Sequence, residues 1–124
     1  MAITVTTPAH GAMAGNGFII NGVSADASGC EELKAAPAAG LSIHLDRLVI
    51  NNGANAISIT IGEGETTGAV TTALIGPIAM AANTSLPFDF SRVGGLKLTA
   101  ATSLTVDASG SGAICVHAVG RVEA

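Results

Sequence analysis

Aromatic and charged side chains are scarce in this chain. Its 124 residues include no tryptophan or tyrosine, three phenylalanines, five basic residues and nine acidic residues. The basic residues are scattered along the sequence: Lys34, Arg47, Arg92, Lys97 and Arg121. Because nucleic acids are bound by grouped cations that displace counterions, the sequence predicts no direct nucleic-acid partner. So little charge is typical of a protein that covers part of its surface with copies of itself or with a larger assembly.

Long apolar runs are also missing. The sequence has no stretch of about 18 apolar residues that could cross a bilayer as a helix. Its N-terminus lacks the charged segment and following apolar segment of a secretory signal. We therefore expect no membrane partner, and synthesis in the cytoplasm.

Cysteine is limited to Cys30 and Cys115, whose spacing fits no zinc motif. In a reducing cytoplasm such residues are expected to be buried or half-buried free thiols. A structural disulfide between them is the alternative that the sequence leaves open.

Short segments of alternating apolar residues, such as residues 57–61, recur with turn signals about every ten residues. This spacing is typical of an all-β protein, and we predict a single-domain antiparallel β-sandwich with a jelly-roll-like topology. Residues 1–17 are predicted to be an N-terminal strand or arm with a tether, and residues 18–124 the sandwich domain.

At most one short helical turn is expected. Ser28 and Glu31 have the spacing of a capping box, although residues 31–36 could equally form the edge of a strand in which Leu33 alone is buried. Asn21-Gly22 is interpreted as a turn after a short apolar strand.

The segment from Leu41 to Ile50 alternates cleanly except for a polar insertion at Asp46 and Arg47. An insertion that shifts the phase predicts a β-bulge there, which keeps the apolar side chains on one face. We expect this strand to form a hairpin with residues 56–61, followed by a loop over residues 62–68.

Further strands are predicted near the C-terminus. Pro87 marks residues 86–90 as an edge strand, because proline cannot donate a hydrogen bond to a neighbouring strand. Two short strands around residues 96–98 and 104–106 follow, and residues 113–122 form the closing strand.

The N-terminal arm is the segment most suited to binding a partner. It alternates apolar and β-branched residues before Pro8, and its candidate contact residues are Ile3, Thr4, Val5, Thr6 and Thr7. Such a stretch can add a strand to an exposed sheet edge of an adjacent subunit or of the surface on which the protein assembles. The alternative is that it completes its own sheet.

No pattern of catalytic or metal-binding residues accompanies these strands. We interpret His10, His44 and His117 as ordinary half-exposed histidines, and we expect no metal site and no cofactor. Glu63 and Glu65 lack the ligand series of a calcium loop and are expected to lie in a solvated turn.

Cys115, His117 and Asp107 lie close together in the sequence, but no oxyanion motif accompanies them. Their proximity is therefore attributed to chance. We predict that the protein is not an enzyme.

Several segments carry a resemblance to a known family. They are residues 31–36, 40–45, 57–61, the Leu-Pro-Phe of 86–88, and 96–106 before a glycine-rich hairpin. In this order they resemble small β-sandwich virion proteins of tailed bacteriophages. In that family a strand of the form Leu-x-Ala-Ala-x-x-Gly-x-x-Ile precedes a threonine-rich strand and then Leu-Pro-Phe. The resemblance covers roughly residues 25–122, and its motifs are structural rather than catalytic.

The resemblance implies a head decoration or cement protein on the exterior of the capsid. Proteins of this kind commonly form homotrimers that bind the major capsid protein and hold neighbouring subunits together. The same resemblance is compatible with a tail-fibre module that binds a receptor or carbohydrate, and with a minor head-tail component. The arm lies outside the matching region, so the resemblance does not place the protein on the virion.

Overall fold

The computed structural model describes residues 3–6, 17–24, 29–110 and 112–124. In these residues the chain forms ten β-strands and a single 3₁₀ turn, Ser91–Val93. The strands are β1 (Thr4–Thr6), β2 (Gly17–Ser24), β3 (Gly29–Lys34), β4 (Ser42–Asn52), β5 (Ile57–Thr66), β6 (Ala69–Met80), β7 (Ser85–Asp89), β8 (Leu96–Lys97), β9 (Leu104–Ala108) and β10 (Ile114–Glu123).

The strands form two antiparallel sheets. The first sheet has the order β1-β2-β10-β4-β7, and β8 pairs with β4 beyond the end of β7. The second sheet has the order β3-β9-β5-β6. If β7 and β8 are counted as one interrupted strand and β1 is left out, each sheet has four strands. The order of the strands in these two sheets is that of a jelly roll. The predicted all-β sandwich is confirmed.

One hydrophobic core lies between the two sheets. Fully buried side chains line the inner faces of β4, β5, β9 and β10, the largest being Ile43, Leu45, Leu48, Ile50, Ile59, Ile61, Leu104, Val106 and Val116. Burial of each such side chain contributes about 1.5–3 kcal/mol relative to exposure. Phe88 and Phe90 pack against this core with their rings stacked at 6.1 Å.

The predicted β-bulge in β4 is confirmed. On β10, Val119 pairs with Arg47 and the next residue, Gly120, pairs with Leu45, so Asp46 has no counterpart. Because the extra residue is placed there, the apolar side chains on both sides of it point into the core.

The expected hairpin between the fourth and fifth strands is wrong. β4 pairs with β10, β7 and β8 of the first sheet, whereas β5 pairs with β6 and β9 of the second. Residues 53–56 cross between the sheets at this point. Asn52 is buried and its Nδ2 donates hydrogen bonds to the carbonyl oxygens of Asn55, Met80 and Ala81, which holds the crossover in place.

The loop expected over residues 62–68 is mostly strand. β5 continues to Thr66, and only Thr67 and Gly68 form the turn before β6. Both turn residues have positive φ, 54° and 78°, as a two-residue type I′ hairpin turn requires. The glycines at 62 and 64 misled the prediction, because here they lie within β5, where Gly62 is so close to β6 that an added Cβ would lie 2.7 Å from the Thr72 carbonyl oxygen.

Of the two alternatives for residues 31–36, the edge of a strand is the one observed. This segment belongs to the edge strand β3, in which Glu31 is buried as well as Leu33; Ser28 lies outside the described residues. The predicted turn at Asn21 and Gly22 is wrong, because β1 and β10 pair with them on both sides within β2. In both cases pairing with distant strands overrides a local signal.

The remaining strand predictions hold. β7 pairs with β4 alone and is therefore an edge strand, as Pro87 indicated. The closing strand predicted over residues 113–122 is β10, which lies between β2 and β4.

Candidate assembly surfaces and side-chain clusters

The described part of the N-terminal arm lies along the outer edge of its own first sheet. Thr4 pairs with Val23 and Thr6 with Asn21, while the side chain of Ile3 packs against the core. Val5 is 37% exposed, and Thr7 lies outside the described residues. Contact of this arm with another subunit or with a capsid stays a prediction.

The four sheet edges differ in how well they are protected against pairing with another strand. Sheet edges are commonly blunted by short length, proline, bulges or charged side chains. β1 has three residues, β7 contains Pro87 and Asp89, and β3 contains Glu32, Lys34 and a register shift. These three edges therefore have at least one protective feature each.

β6 is twelve residues long and has no charged side chain, although it too contains a proline and two register shifts. It pairs only with β5, so its other edge has no strand partner among the described residues. The register shifts fall at Leu74 and at Gly76-Pro77, which leaves residues 69–73 as an uncharged segment in regular register. We call residues 69–73 the β6 edge. The alternating pattern of the sequence did not identify it, because edge position depends on the pairing of distant strands.

A thiol, an imidazole and an amide meet on the outer face of the first sheet. The Cys115 Sγ lies 3.7 Å from the His117 Nε2 and donates a hydrogen bond to the Asn21 Oδ1 at 3.2 Å. Cys115 and His117 share one face of β10 as neighbours two residues apart, and Asn21 lies opposite His117 on β2. We call these three residues the thiol–imidazole cluster.

Asp107, which is close to this pair in the sequence, lies elsewhere in the structure. Asp107 is on β9 of the second sheet, where it pairs with Cys30 and Thr60. A nucleophile, a base and an orienting carboxylate are therefore not brought together at Cys115, which agrees with attributing the sequence proximity to chance. Within the described ranges, no group of three or more His, Cys, Asp or Glu side chains could hold a metal ion.

The histidines differ in exposure. His117 is exposed, but His44 is 8% exposed, so the expectation that His44 is half-exposed is wrong. His44 lies between two core residues of β4, so the alternation of side chains places it on the opposite face of that strand. Its pairing partners there are Arg121 and Lys97. His10 lies outside the described residues.

Both cysteines are free and half-buried, as expected. Cys30 is in the second sheet and Cys115 in the first. Burial raises the pKa of the Cys30 thiol, and a hydrogen bond with Thr105 offsets part of this shift. The thiolate of Cys30 is therefore disfavoured at neutral pH.

Arg121 is held by two carboxylates and a backbone carbonyl group. Arg121 donates hydrogen bonds to the carboxylates of Glu123 and Asp46, each at 2.7 Å, and to the Gly94 carbonyl oxygen. The bonds to the two carboxylates raise the pKa of Arg121. The Asp89 carboxyl is exposed, and hydrogen bonds from the side chain and the backbone N–H of Ser91 lower its pKa. Arg47, on the neighbouring strand, makes a smaller contribution in the same direction.

Glu63 does not lie in a solvated turn, so that expectation is wrong for this residue. It is 7% exposed in β5, and its two carboxylate oxygens accept hydrogen bonds from the Thr99 backbone N–H and hydroxyl, each at 2.7 Å. Glu63 thus fastens the segment after β8 to the second sheet. Glu65, two residues later, is exposed as expected.

A shallow groove adjoins the thiol–imidazole cluster. Its volume is about 360 Å³, and it is lined by Val23, Asn51, Asn52, Gly53, Ala113, Ile114 and Cys115. Apart from the two asparagines, its lining side chains are apolar or sulfur-containing, and Val23 is 46% exposed there. Sequence patterns did not indicate this groove, since three separate segments form it.

Comparison of the chain with protein-family models, with curated proteins and with solved structures found no match. Among the described residues, no helix is of a length and hydropathy that would cross a membrane.

Proposed function

We propose that this protein is a non-enzymatic structural protein of a virion, acting as a head decoration or cement protein on the capsid exterior. In this role it binds the major capsid protein and stabilises the shell through contacts between subunits. The proposal combines the sequence resemblance to small virion proteins of tailed bacteriophages with the jelly-roll winding, which also builds viral capsid and lectin domains.

The uncharged β6 edge is the observation that carries the proposal. A long edge strand without charged residues offers a row of backbone N–H and C=O groups to a strand of another chain. Monomeric proteins usually protect such an edge with charged side chains, which β6 lacks. Retaining a long uncharged edge is useful to a protein that works by assembling with its neighbours.

The symmetry of the contact follows from which strand covers the β6 edge. If the β6 edges of two copies pair with each other, the contact is self-complementary and closes as a dimer. If the β6 edge pairs with a different edge of the next copy, the contact is head-to-tail and can close as a ring. The homotrimer that we propose requires the second arrangement.

The side chains give less support to a carbohydrate-binding module, the main alternative on a tail fibre. Sugar platforms usually use exposed aromatic faces, and this chain has three phenylalanines as its only aromatic residues. Phe18 is 7% exposed, while Phe88 and Phe90 are half-buried against the core. No phenylalanine therefore presents an open ring face to a sugar.

The β6 edge is tested with Thr72→Lys, which adds a charge at an exposed position within this edge. We expect the variant to remain folded but to shift from trimer to monomer in size-exclusion chromatography with light scattering. Ala39→Lys is the matched control, because it adds the same charge in the exposed turn between β3 and β4. A wild-type protein that is monomeric at every concentration, or a Thr72→Lys variant that is still trimeric, contradicts the proposed assembly.

Capsid binding is tested by co-sedimentation with purified heads and by the copy number in purified particles of the phage that encodes the chain. A decoration protein is present in many copies and sediments with empty heads that lack tails. A few copies per particle, found only with tails, would instead identify a tail or head-tail component. Saturable binding to a host polysaccharide without binding to heads would favour the carbohydrate-binding alternative.

A further inference from the structure

The thiol–imidazole cluster has the ligand types of a soft-metal site. A cysteine sulfur and a histidine nitrogen are the two side-chain donors that zinc and related ions prefer. Both belong to β10, and their positions two residues apart place them on one face of the sheet without any change of the backbone. The Asn21 Oδ1 lies beside them on β2 and offers an oxygen donor.

The spacing of the two donors also fits. Zinc binds cysteine sulfur at about 2.3 Å and histidine nitrogen at about 2.0–2.1 Å. At a tetrahedral angle these bond lengths place the sulfur and the nitrogen about 3.5–3.6 Å apart. The observed distance between Cys115 Sγ and His117 Nε2 is 3.7 Å. Both donors can therefore reach one ion with little movement of either side chain.

The surroundings leave room for an ion. His117 is exposed and Cys115 is half-buried, so an ion can approach from solvent and keep water ligands. The groove next to Cys115 has a volume of about 360 Å³, which is large enough for water or for a donor from another molecule. Cys30 lies in the other sheet, so it does not compete with the ion by forming a disulfide with Cys115 within this chain.

We propose that Cys115 and His117 bind a soft or borderline divalent ion, of which Zn²⁺ and Cd²⁺ are the representatives. The Cys115 thiol releases its proton to solvent and its sulfur forms a bond to the ion, while the neutral His117 ring donates the Nε2 lone pair. The Asn21 Oδ1 and water, or a donor from a second molecule, complete the coordination. No oxidant or reductant takes part. The site is independent of the proposed virion function, because it uses the outer face of the first sheet and not the β6 edge.

The probe is Cd²⁺, added to reduced, chelator-treated protein. A cadmium–thiolate bond produces an ultraviolet charge-transfer band, so the titration reports coordination by sulfur directly. We expect the band to saturate at one ion per chain, and Zn²⁺ to displace Cd²⁺ and remove the band. Saturation at one ion per two chains also supports the site, because two Cys115–His117 pairs complete a tetrahedral set.

Three variants separate the proposed pair from binding by a thiol alone. Cys115→Ser should abolish the band, whereas Cys30→Ser should retain it with unchanged affinity. His117→Gln should weaken Cd²⁺ binding at least tenfold. Loss of a residue that only hydrogen-bonds to a metal ligand typically lowers metal affinity about 10–100-fold, and His117 is proposed to be a ligand itself. Circular dichroism checks that each variant keeps the β-sheet spectrum.

Three results would overturn the site. The first is a band that Cys115→Ser leaves intact, and the second is the lack of any saturable band in the wild-type protein. The third is equal Cd²⁺ affinity for His117→Gln and the wild type, which would reduce the site to a single thiol.

Discussion

At the scale of single residues, the least expected feature is how buried polar side chains fasten the irregular segments. Asn52 holds the crossover between the sheets, and Glu63 holds the segment after β8. Neither role could be predicted from the sequence, because the hydrogen-bond partners lie up to 36 residues away. Asparagine favours turns and Glu63 is flanked by two glycines, yet both residues lie in strands.

Glu63→Ala should destabilise the protein by about 1–3 kcal/mol, because two part-buried hydrogen bonds from Thr99 to the charged carboxylate are lost. Glu63→Gln should cost less, since the amide keeps one acceptor oxygen. Urea unfolding followed by circular dichroism measures both changes. Glu65→Ala is the control, because this neighbour is exposed and its loss should change stability by less than about 0.5 kcal/mol. Equal losses for the alanine variants at 63 and 65 would show that the contact with Thr99 contributes nothing.

At the scale of elements, periodicity predicted the strands well but predicted their partners poorly. The bulge at Asp46 could be found because it changes the phase of a long apolar pattern, and that pattern is a property of the strand itself. The hairpin expected between β4 and β5 was wrong because nearness in sequence favours local pairing, whereas the jelly roll places these strands in different sheets.

The thiol–imidazole cluster could be predicted only in part. Residues 115 and 117 share a face by periodicity alone, but Asn21 joins them only through the pairing of β2 with β10.

The N-terminal arm leads to a prediction at this scale. Deleting residues 1–9 should abolish trimer formation and binding to heads if the arm adds a strand to a neighbouring subunit. Light scattering and co-sedimentation measure these two properties. Ile3→Ala is the matched control, because it removes the contact of this side chain with the core but keeps the arm. Unchanged assembly after the deletion would restrict the arm to its own sheet, where Thr4–Thr6 pair with β2.

At the scale of the whole molecule, a single core joins the two sheets. Leu48 of the first sheet and Ile59 of the second are both 0% exposed and belong to the same buried cluster. Neither sheet can bury its inner face without the other, so the sandwich should unfold as one unit.

Leu48→Ala and Ile59→Ala should each lower the free energy of unfolding by about 2–5 kcal/mol while leaving a single transition. Scanning calorimetry tests this, since the calorimetric and van't Hoff enthalpies agree for a two-state transition. Val93→Ala should change stability by less than about 0.5 kcal/mol, because Val93 is 78% exposed. Two resolved transitions in either core variant would mean that the sheets melt separately.

The position of β10 has a consequence for biosynthesis. This strand lies between β2 and β4, yet the ribosome makes it after the other nine. While it is still inside the exit tunnel, β2 and β4 have no partner between them and the apolar faces that they present stay uncovered. The first sheet can therefore form only after β10 has left the ribosome. Pairing over such sequence distances is slow and leaves nascent chains prone to aggregation. A stop codon or frameshift before residue 114 would therefore remove the centre of this sheet rather than its margin.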